Sequence, residues 1–91
     1  MKKIFKYQFE LSHEIEIQMP KDAVFLDMQQ QNGKLTLWAI VDIEKEMHTC
    51  VLYVFGTGMN FDMVGTLSHL KTIQDGIGNV WHFFSRMTKA A

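Results

Sequence analysis

A thiol and an imidazole two residues apart, His48 and Cys50, are the first pair in this chain whose types suggest chemistry. A Cys–His nucleophile needs its base within hydrogen-bond reach of the sulfur, and in an extended segment residues i and i+2 share a face. The same spacing describes a small buried cysteine beside a rim histidine at a strand start, and that is the reading adopted. His13, His48, His69 and His82 are scattered singly. They lack the HxH or CxxC core of converging metal ligands, so no metal centre is expected. Glu14 and Glu16 resemble a carboxylate pair, yet they alternate with Ile15 and Ile17 as the solvated face of a strand does. No catalytic residue and no cofactor are assigned.

Two other groupings point to binding. Gly56-Thr57-Gly58 follows an apolar run ending at Phe55, and a Gly-x-Gly turn exposes backbone N–H groups able to cradle a phosphate or carboxylate. The residues that would complete a P-loop or a dinucleotide fingerprint are missing, so a tight turn leaving a strand is the plainer reading. Trp38, Trp81 and His82 are the residues from which a stacking platform for a nucleobase would be built. Gly56, Thr57, Gly58, Trp38, Trp81 and His82 are therefore the candidate binding residues.

The elements that must position these groups show a period of two almost throughout. Phe5, Tyr7, Phe9 and Leu11 alternate with polar neighbours, and Ile15, Ile17 and Met19 repeat the pattern, so the two segments read as a hairpin or bent pair. Pro20-Lys21-Asp22 breaks the run, and Val24, Leu26 and Met28 then share a face. Asn32-Gly33 marks a two-residue type I′ hairpin joining residues 23–31 to 34–42, because both of its central positions need positive φ. Residues 34–42 and 48–55 are apolar on nearly both faces, as central strands are. Met63 to Ile73 reads as a strand in preference to a helix, Asp75 to Asn79 as a turn, and Val80 to Phe84 as a last aromatic strand. The expected fold is all-β and mainly antiparallel. It is a sandwich or small barrel of six to seven strands over residues 1–84, with 85–91 a flexible tail or short helix.

The 91 residues amount to one domain, with 47% hydrophobic and 21% charged residues in a normal globular balance. Nine Lys+Arg against ten Asp+Glu leave a net charge of −1, which favours neither strong nucleic-acid binding nor a polyacidic surface. The single cysteine forms no intramolecular disulfide, and no apolar run of membrane-spanning length occurs. Lys2, Lys3 and Lys6 are followed by no apolar signal core, so a cytoplasmic location is expected.

An ordered set of motifs resembles a family of small uncharacterised tailed-phage and prophage proteins, a domain of unknown function. It comprises Lys6-Tyr7, Met19-Pro20-Lys21-Asp22-Ala23, Gln29 to Gly33, Leu37 to Val41, Phe55 to Gly58, Gly65-Thr66 and Val80 to Phe84. The resemblance spans residues 2–84 and implies a phage accessory gene and a compact β-rich domain. It brings over no catalytic residue. Similar sequences often carry a histidine after Gly-Thr-Gly, where this chain has Met59.

For small phage accessory proteins without catalytic motifs, the class suggests a counter-defence role in the host cytoplasm, exerted by binding a host defence protein or its small nucleotide signal. The alternative is a structural or regulatory phage protein acting only through homo-oligomers. A homodimer is expected in either case, because strand 48–55 is apolar on both faces and Trp38 and Ile40 extend the patch on its expected neighbour. Cover by the N-terminal strands or by residues 63–73 would remove that patch. The hairpin yields the first prediction. Gly33→Val is expected to destabilise by about 1 kcal/mol or more, seen as a lower urea midpoint, because a β-branched residue resists positive φ.

Overall fold

The computed structural model describes residues 1–62 and 65–90. Alternating apolar residues form eight strands: β1 (Lys2–Phe9), β2 (Glu14–Pro20), β3 (Val24–Gln31), β4 (Lys34–Asp42), β5 (Met47–Gly56), β6 (Ser68–Gln74), β7 (Val80–Ser85) and β8 (Thr88–Lys89). They make two four-stranded sheets, ordered β1-β4-β3-β8 and β2-β5-β7-β6. Every pairing is antiparallel except β3 with β8. The sheets face each other as a sandwich. Leu35, Leu37, Ala39 and Val41 of β4 point inward, opposite Ile15, Ile17 and Met19 of β2 and Leu52 and Val54 of β5, and all are buried. The expected all-β, mainly antiparallel class holds, and no helix occurs among the described residues.

The Asn32-Gly33 turn takes its expected form, with φ of 54° and 79° and Gln31 paired to Lys34. β4 and β5 are both central strands. The last aromatic strand meets the first: Phe9 and Phe83 pack edge to face with centroids 6.4 Å apart. Tyr7 and Trp81 pack against the same core, whereas Phe5 remains 39% exposed.

Other expectations are corrected. Residues 3–11 and 14–19 do not form a hairpin. β1 pairs with β4 and β2 with β5, so Glu10–His13 carries the chain from one sheet to the other, where the Val54 N–H bonds to the His13 carbonyl at 3.0 Å. Two apolar faces are best buried against each other, and splitting these strands between sheets achieves that. In β3, Phe25 and Met28 point inward in place of Val24, Leu26 and Met28, because a bulge between Phe25 and Asp27 inserts one residue and exchanges the faces. A second bulge lies between His69 and Lys71. Lys71 Nζ donates to Asp27 Oδ1 at 2.8 Å, tying the two irregular strands together along one side of the sandwich.

The segment expected as a strand from Met63 becomes regular at Ser68, while Met63 and Val64 lie outside the described residues. Beyond Phe84, Ser85 still belongs to β7 and Met87 is buried. In place of a C-terminal helix, Thr88 and Lys89 pair with Val24 and Phe25, and the Ala90 N–H bonds to the Phe25 carbonyl at 2.9 Å. The apolar patch expected to join strand 48–55 with Trp38 and Ile40 does not exist as one surface, because β4 and β5 lie in different sheets.

Core position predicts cost. Phe83→Ala, at a site with no exposure, is expected to lose about 3–5 kcal/mol by urea unfolding, and Phe5→Ala, on the half-open edge strand, far less.

Candidate functional site

The outer face of the second sheet gathers more ring side chains than any other described surface. In a sheet, directly paired residues share a face. The register places Tyr53, Phe84 and His69 in one row across β5, β7 and β6, and Phe55, His82 and Thr72 in the next. Phe61, from the loop after β5, lies over this face with its centroid 4.6 Å from Phe55 and 5.0 Å from Phe84. Phe55 and Phe84 meet edge to face at 5.9 Å, and His69 sits 5.4 Å from Phe84. The cluster thus covers part of the apolar exterior of β5 from within the chain, yet Phe61 itself stays 50% exposed.

The loop can return because its first residues turn sharply. Gly58 has φ of 91°, and the Met59 N–H bonds to the Gly56 carbonyl at 3.1 Å. Gly56 is also a close approach, since a Cβ there would lie 3.2 Å from the Trp81 ring and 3.3 Å from Met59 Sδ.

A hydrogen-bonded chain runs beside the rings. Thr57 Oγ1 lies 2.8 Å from His82 Nε2, His82 Nδ1 lies 2.9 Å from Thr72 Oγ1, and Thr72 Oγ1 lies 2.8 Å from His69 Nε2. Two patterns satisfy it. In one, Thr57 O–H donates to His82 Nε2, His82 Nδ1–H donates to Thr72, and Thr72 O–H donates to His69. In the other, His69 Nε2–H donates to Thr72, whose O–H donates to His82 Nδ1, and His82 Nε2–H donates to Thr57. Reversing the chain moves the N–H of each imidazole, so the network fixes both rings while letting the face offer different donors. Burial, then the charges of Lys89 and His82, hold the His69 pKa below its usual value of 6.5.

The sequence candidates distribute unevenly around this face. Thr57 and His82 are joined directly. Gly56 and Gly58 shape the turn, but the expected N–H cradle is largely occupied: Gly56 N–H points at Met59 Sδ and Thr57 N–H bonds to the Val80 carbonyl at 3.2 Å. Trp81 faces the other way, with Nε1–H donating to Asp75 Oδ2 at 3.2 Å. The Ile77 and Asn79 N–H groups bond to the same carboxylate's Oδ1. Although desolvation opposes them, these bonds keep the Asp75 pKa below its ordinary value. Trp38 stands on the exterior of the first sheet, so Trp38, Trp81 and His82 are not one platform. Alternation alone separates Trp81 from His82.

Cys50 is buried, with Sγ 3.6 Å from Ser85 Oγ, and burial pushes its thiol pKa up, away from a reactive thiolate. His48 is exposed and makes no hydrogen bond to it among the described residues. No group of three or more metal-ligating side chains occurs among the described residues. Sequence reasoning missed Phe55, Phe61, Phe84, His69 and Thr72 as a group. The alternation of His82 with Phe84 hinted at their shared face, but nothing local indicated that Phe61 folds back.

A family model described as a domain of unknown function (DUF7352) matches residues 1–91. No curated protein and no solved structure matches the chain.

The depressed His69 pKa sets a sign. The folded state binds that proton less readily than the unfolded state, so the contribution is complete above about pH 6.5 and declines on acidification. Wild type is expected to lose more of its urea midpoint than His69→Asn between neutral pH and pH about 5.5. NMR titration of the His69 ring should give a midpoint below 6.5.

Proposed function

Because the chain belongs to this DUF7352 family of unknown function, we propose its role from the geometry of the aromatic face: a non-enzymatic binding protein that acts by occupying a partner protein. The observation that carries the reading is Phe61, half exposed at the centre of a cluster with Phe55 and Phe84. Aromatic side chains, Phe among them, are enriched at protein interfaces relative to the rest of the surface. At its border the His69 ring, whose Nε2 is held by Thr72, keeps its Nδ1 outside the hydrogen-bonded chain and offers it as donor or acceptor.

A phage or prophage origin, and a host defence protein in the host cytoplasm as the partner, are the finer form of this proposal. They rest on the ordered motifs from Lys6 to Phe84. A protein is favoured over a small nucleotide signal by charge. Of the late cations, Lys71 is engaged by Asp27 and Lys89 donates to the His69 carbonyl, which leaves Arg86 without an ion pair among the described residues. Phosphate recognition ordinarily draws on several cations. No helix is long and apolar enough to cross a membrane among the described residues.

A second reading, homo-oligomerisation alone, is favoured by a different surface. On the exterior of the first sheet Ile4, 63% exposed, pairs across from Ile40 beside Trp38. Native mass spectrometry of the protein purified from infected cells separates the two. A retained host protein that is lost in Phe61→Ser is expected. Only multiples of 10.6 kDa, equal in wild type and Phe61→Ser, would support the oligomer and overturn the aromatic face.

A further inference from the structure

The second sheet has a gap in it, which borders the aromatic face at Tyr53 but does not include Phe61. β5 runs from Met47 to Gly56, and β2 pairs with its first part, Met47 to Tyr53. β7 pairs only with Leu52 to Gly56. Along Met47–Val51, about 17 Å of extended chain, the side of β5 facing away from β2 therefore has no strand beside it among the described residues.

Had β7 continued in register, Arg86 would oppose Val51 and Thr88 would oppose Thr49. It is diverted by Ser85. The buried Ser85 hydroxyl donates to the Val51 carbonyl at 3.0 Å and accepts the Met87 N–H at 3.2 Å, bending the chain so that Met87 enters the core and Thr88–Lys89 join β3 in the other sheet.

The orientation of the free backbone groups follows from alternation. The Val54 N–H bonds to the His13 carbonyl, so Leu52, Cys50 and His48 turn their amides toward β2. Thr49 and Val51 therefore turn theirs into the gap, and the Ser85 bond to the Val51 carbonyl confirms that direction. The gap is a cavity of about 250 Å³, with Met19, Ala23, Cys50 and Met87 buried at its walls. At its rim stands the Arg86 guanidinium, 6.0 Å from the Tyr53 ring centroid. Asp22, also at the rim, is already paired with Lys45 at 2.9 Å.

We propose that this gap is a docking slot for an extended peptide segment bearing a carboxylate, which adds a strand to β5 where β7 leaves it. The peptide backbone meets the Thr49 and Val51 amides, its apolar side chain enters the cavity, and its carboxylate forms a fork with Arg86. Backbone pairing supplies affinity and the pocket and charge supply selectivity, as in strand addition to other open sheet edges. Exposed edge β1 differs in carrying Lys2, Lys3 and Lys6 along its length.

The test is a titration of the full chain, 15N-labelled, with acetyl-Thr-Val-Glu-Val-Thr-amide and with its Lys counterpart, followed by amide shifts and hydrogen exchange. The Glu peptide should slow exchange at Thr49 and Val51, and the Lys peptide should bind about tenfold more weakly. Arg86→Gln should abolish that preference. Thr49→Pro removes a donor that faces the slot and should abolish binding, while slow exchange at Cys50 and Leu52 reports that β2 and β5 remain paired. Unchanged Thr49 and Val51 amides at millimolar peptide would overturn the proposal. So would equal binding of the two peptides, or protection of those amides without peptide in a species of doubled mass. Phe61→Ser should leave the peptide response intact, so failure of the slot and failure of the aromatic face are read separately.

Discussion

One buried hydroxyl governs how this sandwich closes. Ser85 is 1% exposed, and by donating to the Val51 carbonyl and accepting the Met87 N–H it replaces the next rung of the β5–β7 ladder with side-chain bonds. The chain can then leave one sheet without stranding polar groups in the core, a requirement that buried backbone enforces strictly. Met87 fills the space between the sheets, and β8 covers the outer edge of β3. The consequence of that closure is the gap beside Thr49 and Val51. The feature that completes the core also leaves an open strand edge.

The two bulges complement it on the same side of the molecule. Each inserts one residue, near Leu26 and Leu70, and so exchanges the faces of its strand beyond that point. Leu70 is carried into the core, and the Asp27–Lys71 ion pair bridges the irregular region. Both partners are about two-fifths exposed. The pair therefore serves mainly to align β3 with β6, and its energetic contribution is small.

The aromatic face depends on this frame in a different way. Tyr53, Phe84 and His69, like Phe55, His82 and Thr72, are brought together by register across three strands, with β7 inserted between β5 and β6, which are consecutive in the sequence. Thr72 joins the imidazoles because it stands opposite His82 and three residues after His69. The rings are therefore held by backbone pairing first and by hydrogen bonds second.

The amino-acid sequence alone determined the local order. Alternation in β1, β2, β4 and β5, the Asn32-Gly33 turn with its two positive φ values, and the central places of β4 and β5 were all legible, because period-two burial and turn chemistry act over a few residues. Of the candidate site, Thr57 and His82 were legible as individual residues but their contact was not. The tertiary structure decided the rest. Which sheet receives β1 and β2, where β3 and β6 bulge, and whether residues after Phe84 trail or return are settled by competition among long-range pairings that differ little in local preference. Trp81 and Trp38 were separated for the same reason: each chose the face its sheet could bury or expose. Phe61 became part of the site only because β5 and β7 offered it Phe55 and Phe84. The Phe61–Phe84 contact joins segments distant in the chain, so no pattern within either one could encode it.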